Sequence, residues 1–216
     1  MKIRWAFLAY AIGLSLAFFG IGWATWSKAQ TPLFAENSVV AISVELSPDP
    51  ILILLGLKPG VALSSGTGFA MGNRIYTCEH VVHGAKNVYV TLRDGRYQWA
   101  RVLRSDDKTD LAEIQVGDMP PALRLRSYPP RFLETVFQIG NPGDMRWLLV
   151  RGNFITFDTF ENRFLLDTWF GNSGSPIIDR RGYVLGMTHN IIRGTRFTGG
   201  GTLQELQNFI NPTTPR

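Results

Sequence analysis

Three side chains that lie far apart in the sequence could together carry out nucleophilic catalysis. They are a histidine in TCEHVV, an aspartate before the apolar run of DDKTDLAEIQV, and a serine in WFGNSGSPIID: His80, Asp110 and Ser173. A serine hydroxyl is a weak nucleophile at neutral pH and needs an adjacent base, usually an imidazole held in one tautomer by a carboxylate. The order histidine, aspartate, serine favours this chemistry.

Small residues surround the serine. Gly171 and Gly174 flank Asn172 and Ser173, and glycine lets neighbouring backbone N–H groups turn toward a common point. Such donors stabilise the negative charge that develops on an attacked carbonyl oxygen. The segment therefore predicts a sharp turn that could bind an oxyanion.

Other roles for these residue types remain open at this stage. Asp106 and Asp107 compete with Asp110 for the carboxylate role, although their pattern is typical of a turn. The three histidines could bind a metal ion, but their spacing fits no common site. The single cysteine, Cys78, excludes an intrachain disulfide and a cysteine-built zinc site. We expect no metal ion and no organic cofactor.

The elements that must position these residues are β-strands. Short runs rich in Val, Ile, Phe, Tyr and Thr alternate with Gly, Asn and Asp, a pattern typical of an all-β sandwich or barrel. A proline-rich connector at about residues 119–131 separates two halves, which we place at about 35–118 and about 132–201. Thr202 and Glu205 form a predicted capping box for a short C-terminal helix at about 203–210.

The N-terminal segment has the character of a membrane helix. Residues 5–27 carry no formal charge and, as a helix, would span the ~30 Å apolar core of a bilayer. Their length favours a retained signal anchor within residues 1–29 over a signal peptide cleaved near Ala29. Lys2 and Arg4 should stay cytoplasmic. We therefore expect residues 30–216 to be exported, either on a single-pass anchor or as a secreted domain.

The net charge of +5 gives no support for nucleic-acid binding. Lys2, Arg4 and Lys28 supply three of these charges, and 19 basic and 17 acidic residues make up the rest. A remainder of +2 is ordinary for a globular domain. We therefore expect no nucleic-acid partner.

A series of motifs resembles the successive signatures of trypsin-like serine proteases: SSGTGF, TCEHVV, KTDLAEIQ, FQIGNP, and GNSGSPIID followed by GYVLGM. The HtrA/Deg-like and glutamyl-endopeptidase-like branches are most similar, over about residues 39–201. The resemblance implies two six-stranded antiparallel β-barrels with a catalytic cleft between them. It also implies that His80 is the general base, Asp110 its orienting carboxylate and Ser173 the nucleophile. The backbone N–H groups of Gly171 and Ser173 would form the oxyanion hole.

The chain departs from the family pattern in a few places. Ser175 stands two residues after the nucleophile, where most members have glycine, and Cys78 precedes the base by two residues. We expect Cys78 to be a packed thiol rather than a nucleophile. HtrA proteins usually carry a peptide-binding PDZ domain after the protease, and we expect none in this chain.

The resemblance suggests two different substrate pockets. Asp167 lies six residues before Ser173, where trypsin-like enzymes that cut after Arg or Lys have a carboxylate. Thr168 instead matches a threonine of glutamyl endopeptidases, whose pocket histidine corresponds by count to Thr188, with His189 one residue out of step. We place the preference for basic residues slightly ahead.

Two functional classes follow from this sequence. The first is a membrane-anchored serine endopeptidase that hydrolyses polypeptides through an acyl-enzyme. The second is a catalytically silent module that binds extended peptides by strand addition. The complete set of His80, Asp110 and Ser173 favours the enzyme, because peptide binding alone requires none of them.

Overall fold

The computed structural model describes residues 32–46, 63–157, 162–191, 195 and 197–211. The predicted anchor or signal peptide lies outside the described residues. Within those ranges, no helix has both the length and the apolar character needed to cross a membrane.

Barrel 1 is a closed six-stranded sheet with the strand order β1-β2-β3-β6-β5-β4, and every pairing is antiparallel. A 3₁₀-helix, Leu33–Ser38, precedes it, and a one-turn helix α1, Glu79–Val82, follows β3. On β4, Val88 and Val90 are buried while their neighbours are more exposed, as expected where one face of a sheet covers a core. The strands are β1 (Val39–Leu46), β2 (Leu63–Met71), β3 (Arg74–Thr77), β4 (Ala85–Thr91), β5 (Tyr97–Asp106) and β6 (Leu111–Gln115).

Barrel 2 also contains six antiparallel strands, in the order β11-β8-β9-β10-β13-β12, and the pairing of β11 with β12 closes it. The predicted all-β fold with two six-stranded barrels is therefore confirmed. The short strand β7 (Arg124–Leu125) adds a parallel pairing to β12 that the sequence did not indicate. The remaining strands are β8 (Thr135–Gly140), β9 (Leu148–Phe157), β10 (Asn162–Leu165), β11 (Pro176–Ile178), β12 (Tyr183–Ile191) and β13 (Phe197–Gly201).

The connector between the barrels is attached to barrel 2 by a buried arginine. Arg126 is 4% exposed, and its guanidinium binds the Glu134 carboxylate and the backbone carbonyl oxygens of Tyr128 and Pro129. A buried guanidinium is tolerated only when its N–H donors are satisfied in this way.

The predicted C-terminal helix is confirmed as α2, Leu203–Ile210. Its capping box is present: the Thr202 side chain accepts a hydrogen bond from the Glu205 N–H, and the Glu205 carboxylate accepts one from the Thr202 N–H. Leu206 and Phe209 are buried in an apolar cluster that contains residues of both barrels. The helix therefore follows barrel 2 in sequence but also packs on barrel 1.

Candidate active site

His80 and Asp110 form a hydrogen-bonded pair within barrel 1. His80 lies in α1, and Asp110 lies in the turn between β5 and β6. The His80 Nδ1 atom is 2.8 Å from Asp110 Oδ2 and 3.0 Å from Oδ1, and the side chains are 49% and 27% exposed respectively. The carboxylate thus holds Nδ1 as the protonated nitrogen and leaves Nε2 as the basic one.

The backbone of Asp110 helps to orient this pair. Asp110 has φ +51°, the left-handed region that aspartate tolerates better than most residues. Its Oδ1 atom also accepts the His80 backbone N–H at 3.0 Å, and its carbonyl accepts the Glu79 N–H at 3.2 Å. The start of α1 is therefore attached to the turn that carries the carboxylate.

The surroundings shift the pKa values of both groups. The hydrogen bond with Asp110 raises the pKa of His80 above its ordinary 6.5 despite partial burial. Burial would raise the pKa of Asp110, but hydrogen bonds from His80 and the charges of His80 and His189 lower it below its usual value. The pair therefore contains an ionised carboxylate beside an imidazole of increased basicity.

In the Ser173 turn, two backbone N–H groups donate to no described residue. Gly171 and Gly174 have φ +98° and +84°, a conformation that glycine adopts without strain. Within residues 171–175, the N–H groups of Asn172, Gly174 and Ser175 donate to carbonyl oxygens of Trp169, Thr188 and Asn172. The N–H groups of Gly171 and Ser173 donate to no acceptor in the described part of the chain. These are the two donors predicted to form an oxyanion hole.

The serine turn and α1 both pack against Gly66 of β2. A Cβ atom at this residue would lie 2.7 Å from the Val81 side chain and 3.3 Å from the Ser173 carbonyl oxygen. The Ser173 hydroxyl forms no hydrogen bond to a described residue, and therefore none to the imidazole of His80. Catalytic hydrogen bonds are often long in ligand-free enzymes and tighten when substrate binds.

Among the predicted pocket residues, Thr168 and Thr188 are linked through Gln138. The Thr168 hydroxyl donates to Gln138 Oε1, and Gln138 Nε2 donates to the Thr188 hydroxyl, each at 2.6 Å. Gln138 and Thr188 are buried, whereas Asp167 is exposed. His189 lies elsewhere, beside His80 and Asp110, with which it lines a cavity. The four predicted pocket residues thus lie in three different environments: Asp167 at the surface, Thr168 and Thr188 on either side of Gln138, and His189 beside His80 and Asp110.

Comparison with known proteins identifies the domain. A family model for the trypsin-like peptidase domain matches residues 66–187, more than half of the chain. The chain belongs to the trypsin-like peptidase domain family. The matched range contains all three residues of the predicted triad, which this trypsin-like domain carries on α1, the β5–β6 turn and the turn before β11.

Relatives of this trypsin-like domain include bacterial serine endoproteases. A Hahella chejuensis protein described as DegP-like is 32% identical over 149 residues, covering 62% of this chain and 31% of its own. The periplasmic pH-dependent serine endoprotease DegQ of Escherichia coli is 25% identical over 178 residues, 74% of this chain and 36% of its own. The chain thus spans about a third of the length of these relatives.

A solved structure has the same fold. The crystal structure of the Rv3671c protease from M. tuberculosis in its active form superposes with a TM-score of 0.72 at 25% sequence identity, covering 82% of each chain. The similarity includes both barrels, because one barrel alone would cover a much smaller share of this chain than 82%.

Cys78 in the trypsin-like domain is a buried thiol next to the His80–Asp110 pair. Its sulfur lies within 4.8 Å of a His80 ring nitrogen and an Asp110 oxygen, and these three groups could bind a thiophilic cation only with the thiol deprotonated. Burial and the negative charge of Asp110 raise the Cys78 pKa well above its usual value. The thiol donates a hydrogen bond to the Thr188 carbonyl oxygen at 3.2 Å, which suits a packing role.

The sequence analysis did not assign a role to Thr67, which holds the serine turn. Its N–H donates to the Ser173 carbonyl oxygen at 2.9 Å, and its hydroxyl donates to the Gly171 carbonyl oxygen at 2.8 Å. The same hydroxyl accepts the Asn141 N–H at 3.0 Å. Thr67 lies in the motif SSGTGF and Asn141 in FQIGNP. Both motifs resemble the family, and this resemblance was the sequence signal that could have drawn attention to the two residues.

Proposed function

We propose that this trypsin-like domain is an exported serine endopeptidase that hydrolyses polypeptides with His80, Asp110 and Ser173. The observation that carries the proposal is the hydrogen-bonded His80–Asp110 pair, which lies beside a serine turn where two N–H groups have no acceptor among the described residues. Relatives that are named serine endoproteases support the same reaction.

Each residue has a specific step in the proposed mechanism. His80 Nε2 removes the proton of the Ser173 hydroxyl as the oxygen attacks the substrate carbonyl. Asp110 keeps the imidazole in the required tautomer and stabilises the imidazolium that forms. The N–H groups of Gly171 and Ser173 bind the resulting oxyanion. The imidazolium then protonates the leaving amine, and a water molecule activated by His80 hydrolyses the acyl-enzyme.

The domain is proposed to act outside the cytoplasm. The name of DegQ describes it as periplasmic, and residues 5–27 of this chain have the length and apolar character of a membrane anchor. An uncleaved segment would attach the protease to the membrane, whereas cleavage near Ala29 would release it. The N-terminal residue of the exported protein distinguishes the two arrangements.

We propose a modest preference for Arg or Lys on the amino side of the cleaved bond, through Asp167. Because Asp167 is exposed, its pairing with a substrate cation is worth only about 0–1 kcal/mol, or up to about fivefold in kcat/KM. The alternative is a pocket of the glutamyl-endopeptidase type built from Thr168 and Thr188, whose hydroxyls are joined through Gln138. Profiling Asp167→Ala on a peptide library decides between them, and an unchanged preference excludes Asp167.

Labelling with a serine-directed fluorophosphonate tests the proposed catalysis. We expect the intact protein to be labelled and to hydrolyse an unfolded protein substrate, and Ser173→Ala to abolish both activities. Ser175→Ala is the matched control, since Ser175 lies in the same turn but is fully buried, and it should still be labelled. If a folded wild-type protein binds peptides but is not labelled, the domain is a peptide-binding module instead.

A further inference from the structure

Exposed apolar side chains are concentrated where the 3₁₀-helix, the connector and the β11–β12 turn meet. Leu33 and Phe34 begin the 3₁₀-helix, and Phe132 and Leu133 follow the connector. Each of these four side chains is more than half exposed. Single exposed apolar residues are ordinary on a protein surface, but a group of them marks a site of interaction.

Contacts join the three segments. The Phe34 ring covers Gly182 in the β11–β12 turn, where a Cβ atom would lie 2.6 Å from Phe34 Cζ. From the same turn, Arg180 Nη2 donates to the Thr135 hydroxyl at 3.3 Å, two residues after Leu133. The segments are therefore neighbours on one surface. We call their exposed apolar and cationic residues the apolar–basic face: Leu33, Phe34, Arg131, Phe132, Leu133 and Arg181.

The cations of the apolar–basic face are not neutralised by the carboxylates next to them. Arg131 and Arg181 are exposed, and neither forms an ion pair within the described part of the chain. The carboxylates of the three segments pair with other arginines: Glu36 with Arg93, and Glu134 and Asp179 with Arg126. The face thus combines apolar side chains with positive charge, the composition of surfaces that bind anionic lipid.

The chain holds this face close to a bilayer in the proposed anchored form. The uncharged run ends at Ser27, and the described domain begins five positions later, at Pro32. Five fully extended residues span at most about 18 Å. The headgroup layer takes up about 5–8 Å of that distance. Leu33 and Phe34 therefore begin the domain within reach of the lipid headgroups.

We propose that the apolar–basic face docks on an anionic bilayer surface. Phe34, Phe132 and the two leucines insert at the boundary between headgroups and acyl chains, while Arg131 and Arg181 pair with lipid phosphates. The inference rests on the anchored form of the proposed function. Docking on this face fixes the orientation of the protease domain relative to the membrane, which a flexible tether alone leaves free.

A polarity-sensitive dye beside the face tests the docking. The only native thiol, Cys78, is buried, so a dye can be attached selectively to Ser127→Cys, an exposed position four residues before Arg131. With the full chain in nanodiscs, we expect the emission to shift to the blue in phosphatidylglycerol but not in phosphatidylcholine alone. About 1 M NaCl should largely reverse the shift, because the Debye length falls to about 3 Å. Equal emission in both lipids would overturn the proposal.

Paired charge variants identify the surface that docks. A cation near an anionic surface strengthens binding about fivefold, so Arg131→Gln/Arg181→Gln should lower the ratio of docked to undocked protein about 25-fold. Lys86→Gln/Arg101→Gln is the matched control, because it removes two exposed cations from β4 and β5 of barrel 1. We expect no change in the control. Equal losses in the two double variants would show attraction by overall charge and reject this face.

The outcomes separate this inference from the proposed function. If the full chain inserts into nanodiscs and the dye does not respond to phosphatidylglycerol, only the docking fails. If the chain is cleaved near Ala29, the anchor fails, and sedimentation of the cleaved chain with phosphatidylglycerol vesicles decides on the face with the same variants. A blue shift that grows with protein concentration in lipid-free detergent assigns the face to a second copy of the chain and overturns lipid docking. Fluorophosphonate labelling decides on catalysis independently.

Discussion

The Asp110 carboxylate connects local backbone geometry to the proposed catalysis. One oxygen accepts both the His80 N–H and its Nδ1–H, while the other accepts Nδ1–H at 2.8 Å. Asp110 itself has φ +51° and lies at the end of the β5–β6 turn, so this backbone conformation sets the direction of its carboxylate. The residue type is therefore constrained twice, by backbone conformation and by charge.

Asp110→Asn separates these two constraints. Asparagine also tolerates the left-handed conformation, so we expect the variant to fold with a melting temperature close to that of wild type. Its amide is neutral and can present a donor to Nδ1, which favours the wrong imidazole tautomer. We expect kcat to fall about 10⁴-fold, the size of the effect in a triad protease. Asp107→Asn, an exposed carboxylate of the same turn, should retain full activity; the reverse result would assign the carboxylate role to Asp107.

The pH dependence of activity follows from the direction of the His80 shift. The general base must be neutral, so kcat/KM is lost as pH falls through the His80 pKa, which the Asp110 hydrogen bond raises above 6.5. We expect the acid limb of the wild-type profile to have its midpoint above pH 6.5. The residual activity of Asp110→Asn should have its midpoint at lower pH. An acid limb that does not move would show that another group controls it.

At the scale of elements, strand β2 links the two barrels through one side chain. The Thr67 hydroxyl donates to the Gly171 carbonyl oxygen and accepts from the Asn141 N–H and Nδ2 groups. Residue 67 belongs to barrel 1, whereas the two partners belong to loops of barrel 2. This hydroxyl therefore fixes the turn that would form the oxyanion hole.

Thr67→Val removes the hydroxyl but keeps the side-chain shape. Because the change leaves buried polar groups of Gly171 and Asn141 without their partner, we expect the free energy of unfolding to fall by about 1–3 kcal/mol. The freed turn should also lower kcat about tenfold, since it no longer holds the Gly171 N–H in place. Chemical denaturation and steady-state kinetics measure the two effects. Ser65→Ala, an exposed hydroxyl on the same strand, is the control, and equal effects of both variants would contradict the linking role.

Sequence patterns predict an element most closely where its stabilising contacts are local. The α2 capping box joins Thr202 to Glu205, three residues apart, and the structure confirms it. The Thr67 contacts join residues 74 and 104 positions apart, and no local pattern encodes them. The β-bulge at His189 arises from the register between β12 and β13, which alternation along one strand does not determine. Resemblance to a family predicted the two barrels, which the structure confirms, but it predicted neither the Thr67 contacts nor the bulge at His189.

At the scale of the whole molecule, α2 connects the barrels. Phe209 packs edge to face on Tyr76 of β3, with ring centroids 6.3 Å apart. Arg104 of β5 lies 3.9 Å above the Phe209 ring and donates to the Phe209 carbonyl oxygen. One buried cluster includes Phe209 and Tyr76 together with Ile139 and Met187 of barrel 2. Such a shared core predicts that the barrels unfold together.

Phe209→Ala tests this cooperativity. Removing a buried phenyl ring, together with its contacts to Tyr76 and Arg104, should lower the free energy of unfolding by about 3 kcal/mol. Because both barrels contribute to the same cluster, hydrogen exchange should accelerate by a similar factor in β3 and β12. Asn208→Ala, an exposed neighbour on α2, should change stability by less than about 0.5 kcal/mol. If protection decreases only in β12, the shared cluster does not couple the two barrels, and they unfold independently.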